Sequence, residues 1–582
     1  MRIRRHRAAL AASLALTLAS TVAAQRPFRT LDDKFAPPAP ASLEAWKPRA
    51  AYLREHILAS AGLLPMPEKT PLKPVVFGEL TRTDYTVSKA YFESLPGFFV
   101  TGNLYRPIGA GPFPAILSPH GHWSYGRFEN SDAASVPGRA INLARQGFVV
   151  FTYDMIGYND SRQLPHTFGG DREKLWGLTL AGLQLWNSIR AVDFLETLGY
   201  VRRDAIGATG ASGGGTQTFL LAAVDDRVAV AAPVNMISLH MQGGCLCENI
   251  PGLRLDTTNV EIAATIAPRP LLMVSATGDW TSNTLELEYP AMRRIYQLFD
   301  AEERVHGVRF EAPHNYNRNS REAVYAWMAR WLQQAPADVR RPERGFTADP
   351  LPDTLVFHQR ALPSHAVTAA DLTANWIAAA ERQLAGASPE TRQRALLHAV
   401  GLTAATPAAA NSKSSGPRTV LLAGADAELE QLLTARRLEV RTVPFASFDA
   451  EAAKKIRHFD TYNHTAAGQR IADIVAAARA RPDAVLVAQG DAALAAAIAA
   501  AVAPIRLAVL DVGDFDTASD ADYIARLYVP GLRRAGDLRT AAALAGSRLA
   551  IHNAGERFVL PGAQVRREKL TPQQIVALIQ GR

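Results

Sequence analysis

The chain has 582 residues, too many for one ordinary core, so two or more domains are expected. Its 63 Lys and Arg against 55 Asp and Glu give a formal net charge of +8, but no Lys/Arg run with interleaved aromatics occurs, so no nucleic-acid partner is expected. The two cysteines, Cys245 and Cys247, are too few for a disulfide framework, and stability must come from the core.

Residues 1–24 have a basic start (Arg2, Arg4, Arg5, Arg7), an apolar run, and small residues Val22 and Ala24 before Gln25. This pattern reads as a cleavable signal peptide and implies a periplasmic or secreted protein. The apolar run is shorter than the ~20 residues a bilayer span needs, and no integral membrane segment is expected after cleavage. Those 24 residues contribute four arginines and no acid, so the remainder carries +4 and is only mildly basic. Residues 25–75 combine a Pro-rich entry (KFAPPAPAS) with a helical pattern from Leu43 to Ala61, an N-terminal helical arm. From Val75 to Pro107 apolar and polar residues alternate around a turn at Pro96-Gly97, the pattern of antiparallel strands.

The pattern then changes. FPAILSPHG, GFVVFTYDMIG, DAIGATGAS, VAVAAPVNM, RPLLMVSATGD and GVRFEAPHN are continuous apolar runs separated by helical stretches. Such runs suit strands buried on both faces of a mostly parallel sheet, and they define an α/β unit over residues 76–335. A helical linker region, 336–417, follows, ending in the low-complexity stretch Ala404 to Arg418. Residues 418–582 repeat the α/β pattern (RTVLLAG, DAVLVAQGDAALAAAIAAAV, IRLAVLDVGD, SRLAIHNAG). Laying DAVLVAQGDAAL beside DAIGATGASGGG with one gap puts Ala492 where Ser212 stands. The second unit reads as a degenerate copy of the first sheet or as a generic α/β accessory domain, and in either case it lacks a nucleophile.

Within GATGASGGGTQTF, Gly207 to Phe219, Ser212 sits in a G-x-S-x-G frame between a strand and a helix, the context of a nucleophile elbow. A serine nucleophile needs a base and an acid, which in this architecture follow in the order Ser, Asp/Glu, His on later strand ends. His314 after VRFEAP and Asp279 after LLMVSATG occupy those places. Glu248 is the alternative acid, and Glu288 is a more remote one. The expected oxyanion donors are the backbone N–H groups of Gly213 and His122. His120 and His122 stand at i, i+2 with no third ligand at a suitable spacing, so no metal is expected. Trp123, Arg162, His166 and Arg254 are candidate substrate contacts, and Asp154 and Asn159 are expected to shape their loop by hydrogen bonds. Cys245 and Cys247 are expected to pack as free thiols, a tight Cys-x-Cys ring being the alternative.

These motifs resemble the α/β-hydrolase superfamily, and within it the secreted bacterial carbohydrate esterases related to acetylxylan esterases, cephalosporin-C deacetylases and glucuronoyl esterases. The resemblance spans about Leu43 to Leu332 and rests on GNLYRP, PHGH, YDMIGYNDS, TGASGGGTQT, SATGDW and APHNYN. It implies a Ser212–His314–Asp279 triad cleaving acetyl or methyl esters on plant polysaccharide or oligosaccharide without a cofactor. Glucuronoyl esterases place an arginine directly after the serine, where this chain has Gly213. Acetyl esters are therefore the first expectation and uronic-acid methyl esters the second, with a non-catalytic glycan-binding protein as the alternative of another class.

Overall fold

The computed structural model of the protein describes residues 28–403, 419–424 and 426–581. The expected signal peptide, residues 1–24, and the stretch from Ala404 to Arg418 lie outside the described residues. Among the described residues, no helix is long and apolar enough to cross a membrane.

The first sheet has nine strands: β1 (Val75–Thr81), β2 (Tyr85–Leu95), β3 (Phe98–Pro107), β4 (Phe113–Leu117), β5 (Val149–Tyr153), β6 (Val201–Ala211), β7 (Val228–Val234), β8 (Leu271–Gly278) and β9 (Val305–Pro313). Their order is β1-β2-β3-β5-β4-β6-β7-β8-β9. The first three strands are antiparallel, as the alternation predicts, and β3 meets β5 antiparallel. From β5 onward every pairing is parallel. All the loops that leave the C-terminal ends of β4 to β9 therefore gather along one edge of the sheet, where open α/β sheets bind ligands.

The N-terminal arm is a helix, Leu43–Ser60, whose first turn is capped by Ser42 accepting from the Ala45 N–H at 3.2 Å. It buries Trp46, Leu53, His56 and Ile57 and packs on the helices Gly213–Val224, Asn259–Ala264 and Pro389–Ala399. Residues 336–417 include the helices Ala369–Gly386 and Pro389–Ala399, preceded by a segment tied to the first sheet. Thr354 accepts from Asn103 Nδ2 at 2.8 Å, Glu343 receives Arg321 Nε at 2.6 Å, and the Val356 N–H donates to Asp160 at 2.8 Å. Residues around 343–367 are thus a strap across β2 and β3. The strap explains why β3 is buried almost throughout rather than on alternate residues.

A second sheet comprises β10 (Thr419–Ala423), β11 (Glu439–Thr442), β12 (Ala484–Gln489), β13 (Ile505–Asp511), β14 (Leu549–His552) and β15 (Gln564–Val565), in the order β11-β10-β12-β13-β14-β15 with all pairs parallel. This order repeats β5-β4-β6-β7-β8-β9, so β12 corresponds to β6. After β6, Ser212 (φ 57°, ψ −124°) opens the 12-residue helix Gly213–Val224. After β12, Gly490 (φ 61°, ψ −135°) opens the 12-residue helix Asp491–Val502. Gly490, not Ala492, therefore stands in the place of Ser212. Residue similarity in a gapped comparison follows composition, whereas the elbow is set by where the strand stops and φ turns positive. Ala492 is the second residue of the helix. The second unit docks on the first through backbone bonds from Gly531 to Lys174 at 2.8 Å and from Arg533 to Leu175 at 3.1 Å. Arg533 also stacks its guanidinium over Trp176, and buried Arg534 donates to the Gly62 carbonyl at 2.8 Å.

Candidate active site

Ser212 terminates β6 with a positive φ that a side-chain-bearing residue adopts only where surrounding contacts enforce it. Its N–H donates to the Val234 carbonyl at 3.1 Å and its carbonyl accepts from Thr216 at 2.9 Å, so the elbow is tied to β7 on one side and to its own helix on the other. The glycines around it permit close approach. A Cβ on Gly210 would lie 2.6 Å from both the Gly214 and Pro119 carbonyl oxygens, and one on Gly213 would lie 2.6 Å from Cε1 of His122. The loop Pro119–Trp123 after β4 can lie against the elbow only because these positions lack side chains. The space that a side chain at position 213 would fill holds the His122 imidazole. The Gly213 N–H is the first of its helix and has no intrahelical acceptor.

Asp279 and His314 follow β8 and β9, neighbouring parallel strands, at the same sheet edge as Ser212. His314 Nδ1 donates to Asp279 Oδ2 at 2.8 Å. The other carboxylate oxygen, Oδ1, accepts from the Thr281 N–H at 2.7 Å and from its hydroxyl at 2.5 Å. The Asp279 side chain is 1% exposed and that of His314 25% exposed, so the pair is anchored inside and open at the imidazole. Protonation at Nδ1 leaves Nε2 as the basic nitrogen. The His314 ring lies between two indoles, Trp280 at 4.5 Å and Trp123 at 6.0 Å between centroids. Trp123 also connects the pair to the elbow: a Cβ on Gly121 would lie 3.0 Å from Trp123 Nε1 and 3.2 Å from Ser212 Cβ.

Several expectations need correction. Glu248 does not serve His314. Its Oε2 accepts from the N–H groups of Gly244 (2.8 Å) and Cys245 (3.0 Å), and its Oε1 stands 3.8 Å from His122 Nδ1. Glu288 is buried and accepts from the Leu239 N–H at 2.9 Å. Arg254 is fully buried behind the Cys-x-Cys loop, donating to the Glu248 carbonyl and to Asn259 at 2.9 Å each, and cannot meet substrate. Arg162 stands exposed at the rim with Nε on the Asn159 carbonyl, and no contact among the described residues joins it to Ser212, Asp279 or His314. His120 is a neutral cross-link, with Nδ1 donating to the Gly121 carbonyl at 2.7 Å and Nε2 accepting from the Met155 N–H at 3.0 Å. Burial pushes its pKa down to about 3.

Asp154 and Asn159 shape their loop as expected, Asn159 donating to Asp154 at 2.9 Å. Arg127, wholly buried and without a signal in the sequence, bonds both Asp154 and Asp160 and holds the loop after β5 to the loop after β4. Burial raises the Asp154 pKa against the pull of that arginine.

His122 Nε2 lies 3.0 Å from Cys247 Sγ, and His166 Nε2 lies 3.3 Å from Cys245 Sγ. Both thiols are free. The Cys245 thiol is held well below its ordinary pKa, first by a hydrogen bond from Cys247 and then by His122 and His166 against its burial, while burial pushes Cys247 up. The three ligand-type side chains beside His122, namely His166, Cys245 and Cys247, thus come from other loops. The question to ask of the sequence is which strand-end loops are neighbours in a parallel sheet. A cleft of about 870 Å³ between the two units is lined by the adjoining Leu246 and Asn249, with Phe168, Phe459 and Tyr528, and lies apart from Ser212.

A serine elbow, a buried Asp–His pair and a parallel sheet preceded by an antiparallel hairpin make up the α/β-hydrolase arrangement. No protein-family model matches the sequence. The chain is 31% identical to a solved structure of "Methylesterase BT1017", a likeness covering 59% of this chain and 78% of that one with a TM-score of 0.51. A carbohydrate esterase family 15 glucuronoyl esterase from Caldicellulosiruptor kristjansonii is 16% identical, with 57% of this chain and 97% of that one covered and a TM-score of 0.36. "Putative hydrolase YtaP" of Bacillus subtilis (strain 168) is 27% identical over 201 residues, 32% of this chain. The match spans 66% of that relative's length. The chain belongs to the carbohydrate esterases of the α/β-hydrolase superfamily and is a carboxylic ester hydrolase.

Proposed function

We propose that the protein is a serine esterase that removes methyl groups from uronic-acid esters of a plant polysaccharide or oligosaccharide. Ser212 is the nucleophile, His314 the general base and then general acid, and Asp279 the residue that orients the imidazole and stabilises its charged form. The observation that carries this reading is the buried 2.8 Å Asp279–His314 pair at the same strand-end edge as the strained Ser212. In the first step Ser212 Oγ attacks the ester carbonyl as His314 Nε2 takes its proton. The N–H groups of Gly213 and His122 receive the developing oxyanion. His314 then protonates the departing methanol, and water, deprotonated by the same nitrogen, releases the uronate.

The choice of methyl over acetyl esters rests on the likeness to the methylesterase. Deacetylation is the second reading, supported by PHGH and TGASGGGTQT, which resemble the deacetylases. A substrate outside the cell fits the leader pattern of residues 1–24. Methanol and acetate release from methyl-esterified and acetylated pectins and xylans tests the proposal. Methanol from the parent protein and none from Ser212→Ala is the expected result. Acetate alone would select the second reading, and turnover undiminished in Ser212→Ala would overturn both.

A further inference from the structure

Four side chains from three loops converge beside the elbow. His122 follows β4, His166 follows β5, and Cys245 and Cys247 follow β7, and one ligand-type atom from each lies within 4.8 Å of all the others. In a tetrahedral site with metal–sulfur bonds of about 2.3 Å and metal–nitrogen bonds of about 2.0–2.1 Å, ligand atoms stand roughly 3.3–3.8 Å apart. The cluster therefore needs little rearrangement to close on one ion. Two thiols and two imidazoles are the donors that thiophilic zinc-class cations take.

The surroundings support each donor in the way ligands are supported. Both histidines turn Nε2 to the sulfurs and commit Nδ1 elsewhere. His166 Nδ1 donates to the Ile156 carbonyl at 2.6 Å, and His122 Nδ1 faces Glu248 Oε1 at 3.8 Å, an electrostatic contact longer than a hydrogen bond. The Cys-x-Cys turn is fixed by Glu248 through the N–H groups of Gly244 and Cys245. It is fixed also by Asn249, which donates to the Gly243 (2.9 Å) and Cys245 (2.8 Å) carbonyls and receives the Tyr462 hydroxyl at 3.0 Å.

We propose that His122, His166, Cys245 and Cys247 bind one zinc-class divalent cation in a closed tetrahedral site that staples the three active-site loops together. Binding forms two metal–sulfur and two metal–nitrogen bonds and releases the protons of whichever thiols are still protonated, and the thiolates neutralise the ion. With four protein ligands no position is left for substrate, so the ion is structural. Its effect on catalysis runs through His122, whose ring packs on Gly213 and whose loop supplies an oxyanion donor.

The test is direct titration of the full-length protein, purified under reducing conditions and stripped with a chelator, with cobalt(II) and then zinc(II). One equivalent of cobalt is expected to bind with the thiolate charge-transfer and tetrahedral ligand-field absorption of a two-sulfur site, and zinc to displace it. Cys247→Ser and His166→Ala should each weaken binding by at least about tenfold, and Glu248→Gln by roughly 10- to 100-fold. Ser212→Ala should bind as the parent does, so failure of the nucleophile assignment leaves this result untouched. The parent titration requires no variant to fold. Absence of a one-equivalent site, a cobalt spectrum without sulfur bonds, or a Cys245–Cys247 disulfide in the reduced preparation would overturn the proposal.

Discussion

His314 donates from Nδ1 to a carboxylate of Asp279 that is itself closed off by Thr281, so the acid has a single outward task, holding the imidazole in one tautomer. Asp279→Asn places an amide N–H or a neutral carbonyl against that nitrogen and favours the wrong tautomer. The expected outcome is a loss of about 10⁴ in kcat with little change in KM or thermal stability. Steady-state kinetics on a small aryl ester measure this, and a loss below about tenfold would mean that another acid serves His314.

The elbow glycines act through absent atoms. Gly210→Ala sets a methyl group 2.6 Å from two backbone carbonyl oxygens that no rotamer change can move. It should cost about 1–3 kcal/mol in urea unfolding and most of the turnover, because the oxyanion loop is pushed off the elbow. Gly490 has the same positive φ, which is free of strain in glycine, and open space where a Cβ would stand, so Gly490→Ser should cost about 1–2 kcal/mol and leave ester turnover unchanged. Lost activity in Gly490→Ser would show that the second unit acts on the site.

Arg127 sits between two buried carboxylates. Arg127→Met leaves Asp154 and Asp160 unpaired, and a destabilisation of about 3–5 kcal/mol is expected. Adding Asp154→Asn removes one stranded charge and should recover part of it. Denaturant unfolding of both variants tests this, and equal loss in the single and double variants would deny the coupling.

His56, on the buried face of the N-terminal helix, lies against His398. Its Nε2–H donates to the Gly252 carbonyl at 3.1 Å, and its Nδ1 lies 3.2 Å from His398 Nδ1. Burial and then the charge of His398 push its pKa from 6.5 down to about 4, Asp256 opposing. The folded state therefore binds fewer protons than the unfolded chain between those values. Its stability is fully present above about pH 6.5 and is lost as pH falls toward 4, by up to ~1.4 kcal/mol per unit. Melting temperature should rise with pH from about 4 to 6.5, and His56→Gln should flatten this dependence. An unchanged slope would place the acid lability elsewhere.

Strand ends were legible in the sequence because each buried run stops at a small residue or a loop former, and Ser212, Asp279 and His314 are the chemistry-bearing residues at three such stops. The side-chain cluster of His122, His166, Cys245 and Cys247 was not legible as a unit, since its members lie up to 125 residues apart and meet only through the order of parallel strands. Arg254 was misplaced for the opposite reason. A loop arginine reads as exposed, and only the fold shows it buried under the Cys-x-Cys turn. The strap over β2 and β3 reads as a linker because its proline and charge content are those of a connector. Its Thr354 carbonyl nevertheless accepts from both Asn103 and Arg127.

Covalent labelling of the active protein by a fluorophosphonate, followed by peptide mapping, tests the role of Ser212 most directly. One adduct on Ser212, formed as activity disappears and strongly slowed in His314→Ala, is the predicted result. Full inactivation with the label on another residue, or full esterase activity in protein labelled at Ser212, would contradict it.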